Sequence, residues 1–325
     1  MKLKGIEFGR VFAASGTLNN FGEGWEPYHS IKKKLSGFDF EGSTFISKTS
    51  TIDSRMGKKK GEQGNLILNE TTLQPVSLFP DCIKVNWING EVFNAVGLSN
   101  PGFAALLRMG YWQEIMQRFF ISYMATRLTK KDRLEEDEEF VRLLLKELPK
   151  FKTQVGVQLN ISCPNMKGDL MSFVYETSDR LKVLSRLNLP TSVKINVLTP
   201  IEAVQAIIDG GNCDAIEIPN TLPYGERPDV VNWRKKSILG SPLSDYGGGG
   251  YSGRENFLLA ADWIDRARRA GIDIPIICGA VFDFKDIDRA YDVGASGVAF
   301  ARLSIVRPHR VKSIIEYGNY VFRDR

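Results

Sequence analysis

Gln154-Val155-Gly156-Val157-Gln158-Leu159-Asn160-Ile161 is a mostly apolar run that leads straight into Ser162-Cys163-Pro164-Asn165. A short run of this kind suits a strand buried on both faces of a parallel sheet. The turn after it brings together two carboxamides, Asn160 and Asn165, and one thiol. Paired amide donors and acceptors can fix a planar polar heterocycle. A thiol that ionises easily can remove a carbon-bound proton.

Comparable β-rich runs occupy residues 9–15, 44–49, 92–98, 192–198, 215–220, 274–278 and 297–301, making eight strands with 154–161. Helical patterns fall at 132–148, 178–187, 201–209, 256–270, 284–293 and 310–317. In the 256–270 segment Ala260, Ile264, Ala267 and Ala270 recur at helical spacing. The 132–148 segment is acidic from Glu135 to Glu139 and has Lys146 near its end, a polarity that suits the helix dipole, before Pro149 stops it. Strands alternating with helices predict βαβ units with right-handed crossovers. Eight of them predict an α/β fold, the (β/α)8 TIM barrel, with extended loops and the active site at the C-terminal face of the strands. Residues 1–325 are expected to form a single barrel domain. The competing fold is a doubly wound sheet. No GxGxxG follows the first strand, and Gly248, Gly250 and Gly253 match that spacing without a strand leading directly into them.

Composition narrows the function. The 325 residues are 43% hydrophobic and 25% charged, ordinary for a globular chain with a substantial core. The net charge is +5, and the runs Lys32-Lys33-Lys34 and Lys58-Lys59-Lys60 lack the interleaved aromatics of a nucleic-acid face. Cys82, Cys163, Cys213 and Cys278 form no CxxC pair, which argues against structural zinc or an iron–sulfur cluster. No disulfide framework is evident, so a reducing compartment fits. Met1-Lys2-Leu3-Lys4-Gly5 lacks a signal-peptide apolar run and no stretch approaches a membrane span. A cytoplasmic protein without membrane partners is expected. With His29 and His309 alone, no histidine-rich metal site is expected and a histidine triad has few candidates.

Polar residues gather at the predicted strand ends. They are Ala14-Ser15-Gly16, Lys48-Thr49, Asn94, Asn160 with Cys163 and Asn165, Lys194 with Asn196, Asn220-Thr221, Gly279 and Arg302. Asn and Gly after a strand often only make turns. Lys48 and Lys194 each interrupt a β-rich run, and a lysine in a buried strand needs a partner. Cys82, Cys213 and Cys278 read as structural. The run from Gly247 to Arg254 precedes a helix, and glycines there let backbone N–H groups approach an anion. With Gly279 and Arg302 after strands seven and eight, where barrels often bind phosphate, this predicts a phosphate-bearing cofactor.

The LNISCPN run, residues 159–165, resembles the signature of the dihydroorotate dehydrogenases, and the resemblance extends from about Phe8 to Arg302. It implies FMN as cofactor and oxidation of dihydroorotate to orotate in pyrimidine biosynthesis. The implied flavin contacts are Ala14, Ser15, Gly16, Lys48, Thr49, Lys194, Gly249, Gly250, Gly253, Gly279 and Arg302. Lys48, Asn94, Asn160, Asn165, Asn220 and Thr221 would hold the pyrimidine. Cys163 would take the C5 proton while hydride passes from C6 to the flavin. A cysteine base resembles the soluble class, whose members are commonly homodimers. The chain departs from the family in loop 58–74 and in 223–246, which looks like an insertion or lid. Alternative substrates within the same flavin chemistry are another dihydropyrimidine, or a tRNA uridine as in dihydrouridine synthases. A barrel that binds a ligand without turnover is the non-enzymatic alternative.

Overall fold

The computed structural model describes residues 1–57, 64–162 and 174–324. Cys163 and Asn165 lie outside the described residues, as does part of loop 58–74. A closed barrel of eight parallel strands forms the centre: β3 (Val11–Ala13), β4 (Thr44–Ile46), β7 (Phe119–Tyr123), β8 (Val155–Asn160), β9 (Thr191–Lys194), β10 (Ala215–Ile218), β13 (Ile276–Cys278) and β14 (Gly297–Phe300). Each strand pairs with the next in chain order, and β14 closes on β3 through Val298 opposite Val11. These strands are almost wholly buried, which explains why they read as apolar runs rather than alternating ones.

Seven of the eight expected strands form the barrel, and one does not. Residues 92–98 were expected as the third strand. That place is taken by β7, from the run Phe119-Phe120-Ile121-Ser122-Tyr123. The strand within 92–98, β6 (Glu91–Asn94), instead makes a hairpin with β5 (Ile83–Asn86) around Gly90, whose φ is +64°. This hairpin joins β11 (Leu222–Pro223) and β12 (Gly250–Ser252) in an antiparallel sheet. β6 is buried at Glu91, Val92 and Phe93 and β7 at every position, so the two runs differ in pairing, antiparallel for β6 and parallel for β7, rather than in burial.

The helices follow the expected pattern closely. Ile201–Asp209 has the bounds read from sequence, and Lys130–Glu147 starts at a Thr129 side chain that accepts from the Asp132 N–H. Helices Arg254–Arg269, Phe284–Asp292 and Val311–Val321 pack outside the later strands. The barrel interior is filled by Phe8, Phe12, Ile46, Phe120, Ile277 and neighbours, with Met1 and Leu3 from the hairpin β1 (Lys2–Leu3)–β2 (Ile6–Glu7) packed on them. That filling leaves the opposite, C-terminal end of the barrel for polar chemistry.

Candidate active site

The strand ends open on one cavity of about 850 Å³. Ala14, Ser15 and Gly16 reach it just after β3, Lys48 and Thr49 after β4, and Asn160 and Lys194 at the ends of β8 and β9. Asn220 and Thr221 follow β10, Gly279 follows β13, and Arg302 follows β14. Asn94 lines the same cavity from β6, so it arrives from the antiparallel sheet rather than from a barrel strand. The fold thus brings twelve sequence-selected residues to one place, although they span positions 14 to 302.

Hydrogen bonds set the orientation of the amides. Asn160 Nδ2 donates to Thr49 Oγ1 at 3.2 Å, and Asn160 Oδ1 accepts from Asn220 Nδ2 at 3.1 Å. Asn220 Nδ2 also reaches Ser162 Oγ at 3.3 Å. Asn196, at the end of the same strand as Lys194, donates to the Thr221 carbonyl at 2.9 Å and so braces the turn after β10. Trp25 Nε1 donates to the Gly16 carbonyl at 2.8 Å. Gly16 has φ +87°, and a Cβ built there meets no atom within 4 Å, so the turn leaves room towards the cavity that it lines.

The cationic residues differ from one another. Lys194 is ion-paired with Glu217 at 2.9 Å, and both are buried. Lys48 is also buried in the cavity wall. Arg302 is 5% exposed, donates one bond to the Gly90 carbonyl at 2.7 Å, and stacks on Phe282 with 4.0 Å to the ring centroid. Its Nε and Nη2 are buried without a hydrogen-bond partner. Burial lowers its pKa to about 10. A buried guanidinium with two unused donors, set in a cavity wall, suits an anionic group such as a phosphate.

The glycine run leads into the antiparallel sheet. Gly249, Gly250 and Gly253 are not among the residues lining the cavity. Gly250 pairs with Asn94 in the antiparallel sheet, and a Cβ on Gly253 would fall 1.8 Å from the Tyr251 hydroxyl. Ser252 and Asn256 represent this segment in the cavity wall instead. Sequence reading also missed Glu217, Gln158 and Ser122. Glu217 interrupts Ala215-Ile216-Glu217-Ile218 just as Lys194 interrupts its own strand, so the same signal was present.

The sequence profile of dihydroorotate dehydrogenase matches residues 31–316. The chain belongs to the dihydroorotate dehydrogenase family. These enzymes are flavin-dependent oxidoreductases. The chain is 28% identical over 261 residues to "Dihydroorotate dehydrogenase B (NAD(+)), catalytic subunit" of Bacillus thuringiensis (strain Al Hakam), with 78% of each chain covered. The protein of the same name from Bacillus cereus (strain AH187) gives the same identity and coverage. No helix among the described residues is long and apolar enough to cross a membrane.

Proposed function

We propose that this member of the dihydroorotate dehydrogenase family binds FMN and oxidises dihydroorotate to orotate, as a step of pyrimidine biosynthesis in the cytoplasm. The observation that carries this reading is the convergence of Asn94, Asn160, Asn220, Thr221 and Lys48 with Lys194 and Arg302 on a single cavity. Its volume of about 850 Å³ lies in the range that takes a cofactor together with a small substrate.

The residues present fit the cofactor. The unused Arg302 donors suit its phosphate, and the turn at Gly16 leaves room at the wall. Lys194 would stand at the part of the ring system that gains negative charge. Ser15 and Thr49, bonded to each other at 3.0 Å, Lys48 and Gly279 would complete the contact. The chemistry that FMN supplies when bound is acceptance of a hydride from a substrate carbon. The rest falls to the chain. The asparagine amides and Thr221 hold the pyrimidine and its carboxylate, and Cys163 takes the proton from the adjacent carbon.

The names of the relatives describe NAD+-dependent catalytic subunits. They favour an assembly in which a second, different chain carries electrons onward, and the resemblance to the soluble class favours a homodimer of this one. A single 1–325 FMN-binding barrel would be the dihydroorotate-oxidising component. The test is an anaerobic spectrum of the purified protein. It should be yellow and bleach when dihydroorotate is added. A yellow protein that stays oxidised overturns the substrate. Reoxidation of the reduced flavin by tRNA but not by orotate would assign the alternative substrate.

A further inference from the structure

Glu217 has no part in the reading above, yet it lines the same cavity and is 1% exposed. Its placement is fixed by the backbone. Asn160 lies opposite Lys194 across β8 and β9, and Lys194 lies opposite Glu217 across β9 and β10. One carboxylate oxygen meets the Lys194 ammonium at 2.9 Å. The other accepts from Gln158 Nε2. Gln158 is itself oriented, because its Oε1 accepts from Ser122 Oγ at 2.9 Å, which leaves its NH2 group facing the carboxylate. Ser122 Oγ continues at 2.9 Å to Thr49 Oγ1, which bonds both Ser15 and Asn160. A hydrogen-bonded path, part-buried at Ser15 and buried beyond it, therefore runs across the barrel from Ser15 to Lys194, and Glu217 is its one formal negative charge.

We propose that Glu217 is a positioning residue that fixes the Lys194 ammonium and sets the reduction potential of a flavin bound in this cavity. A lone buried cation would favour any ligand that gains negative charge, and in a water-poor site its effect would be strong. The carboxylate at 2.9 Å makes the wall close to neutral there. It thereby holds the reduced, more negative cofactor back, while keeping the ammonium at a single point. The inference rests on the FMN reading.

The experiment is equilibrium reduction of FMN-loaded protein against a reference dye, for wild type and Glu217→Gln. The variant should favour reduced over oxidised flavin by about tenfold more than wild type, an upward shift of about 30 mV for a two-electron couple. In a Lys194→Met background the same exchange should shift the equilibrium little, because Glu217 acts through that lysine. A merely structural Glu217 would change FMN affinity and melting temperature but leave the potential where it was, and an unchanged potential overturns the proposal. If Glu217→Gln fails to fold or hold FMN, Glu217→Asp is measured instead. Its carboxylate is withdrawn by one methylene, so a smaller shift of the same sign is expected, and no shift overturns the proposal. Wild-type protein that takes up no FMN overturns the flavin reading itself, before any variant is made.

Discussion

A thiol serves as a base only where its surroundings let it ionise, and three cysteines of this chain do not meet that condition. Burial pushes the Cys82 thiol up to about 11 and the Cys213 thiol up to about 12. It pushes the Cys278 thiol well above the usual range. These three stay protonated and inert near neutral pH. In the sequence Cys163 comes three residues after Asn160, the last residue of β8, and it is the proposed base. Cys163→Ala should slow anaerobic flavin reduction by dihydroorotate about 10²–10⁴-fold while FMN binding persists, as read by stopped-flow absorbance. An unchanged rate would remove Cys163 from the mechanism. At this scale the site was largely legible. Asparagines and lysines that end or interrupt apolar runs were selected on that ground, and twelve of the selected residues share one cavity. The run from Gly247 to Arg254 places Ser252 in the cavity wall and Gly250 in an antiparallel strand. Glu217 breaks its strand as Lys194 does, but its pairing with that lysine depends on which strands are neighbours, and that is not a local property of the sequence.

Elements succeed or fail by how they pack, and β7 with β8 shows this most sharply. Phe120 and Gly156 are direct partners across these strands, and a Cβ on Gly156 would sit 2.4 Å from the Phe120 ring. The glycine is there because Phe120 fills the barrel interior, where its ring lies tilted against Phe8 with 4.4 Å between ring centroids. Gly156→Ala should therefore cost about 1–3 kcal/mol through overpacking, seen as a lower urea midpoint with an unchanged slope. Wild-type stability in that variant would mean the ring moves freely, contrary to a close-packed interior. The same pair explains the error in the strand assignment. Counting eight β-rich runs matched the barrel, yet residues 92–98 took the place of 119–123. Both are apolar, and periodicity alone does not separate a sheet strand outside the barrel from one within it. Burial does not separate them either, because Val92 and Phe93 point to opposite faces of β6 and both are buried; the two runs differ in which strands they pair with. Helices were read more faithfully. The charge polarity of the 132–148 segment and the stop at Pro149 are local, so the helix, observed as Lys130–Glu147, is legible without knowing its partners, whereas its Thr129 cap emerges only from the structure.

For the molecule as a whole, the segment between β3 and β4 ties ligand site to global stability through His29. Its Nδ1 accepts the Trp25 N–H at 3.1 Å, and Trp25 in turn holds the Gly16 carbonyl in the cavity wall. Its ring packs edge-on to Phe38 with 5.2 Å between centroids. Burial lowers its pKa to about 4 from the ordinary imidazole value of 6.5. The sign follows from linkage. Between these two values the unfolded chain carries a proton that the folded chain refuses, so stability is full above about 6.5 and falls as the pH drops towards 4. Between pH 7 and pH 5 this one group should remove about 2 kcal/mol, less whatever solvent screening the site allows. His29→Gln should be less stable at pH 7, having lost the fitted ring, but its loss between pH 7 and pH 5 should be smaller than that of wild type by about that amount. Urea unfolding of both proteins at the two pH values decides the point, because carboxylates titrating elsewhere contribute equally to each. Parallel losses would mean that water reaches the imidazole. If the losses differ as expected, acid first loosens the Trp25–Gly16 turn, and FMN uptake should weaken over the same pH interval in wild type but not in the variant.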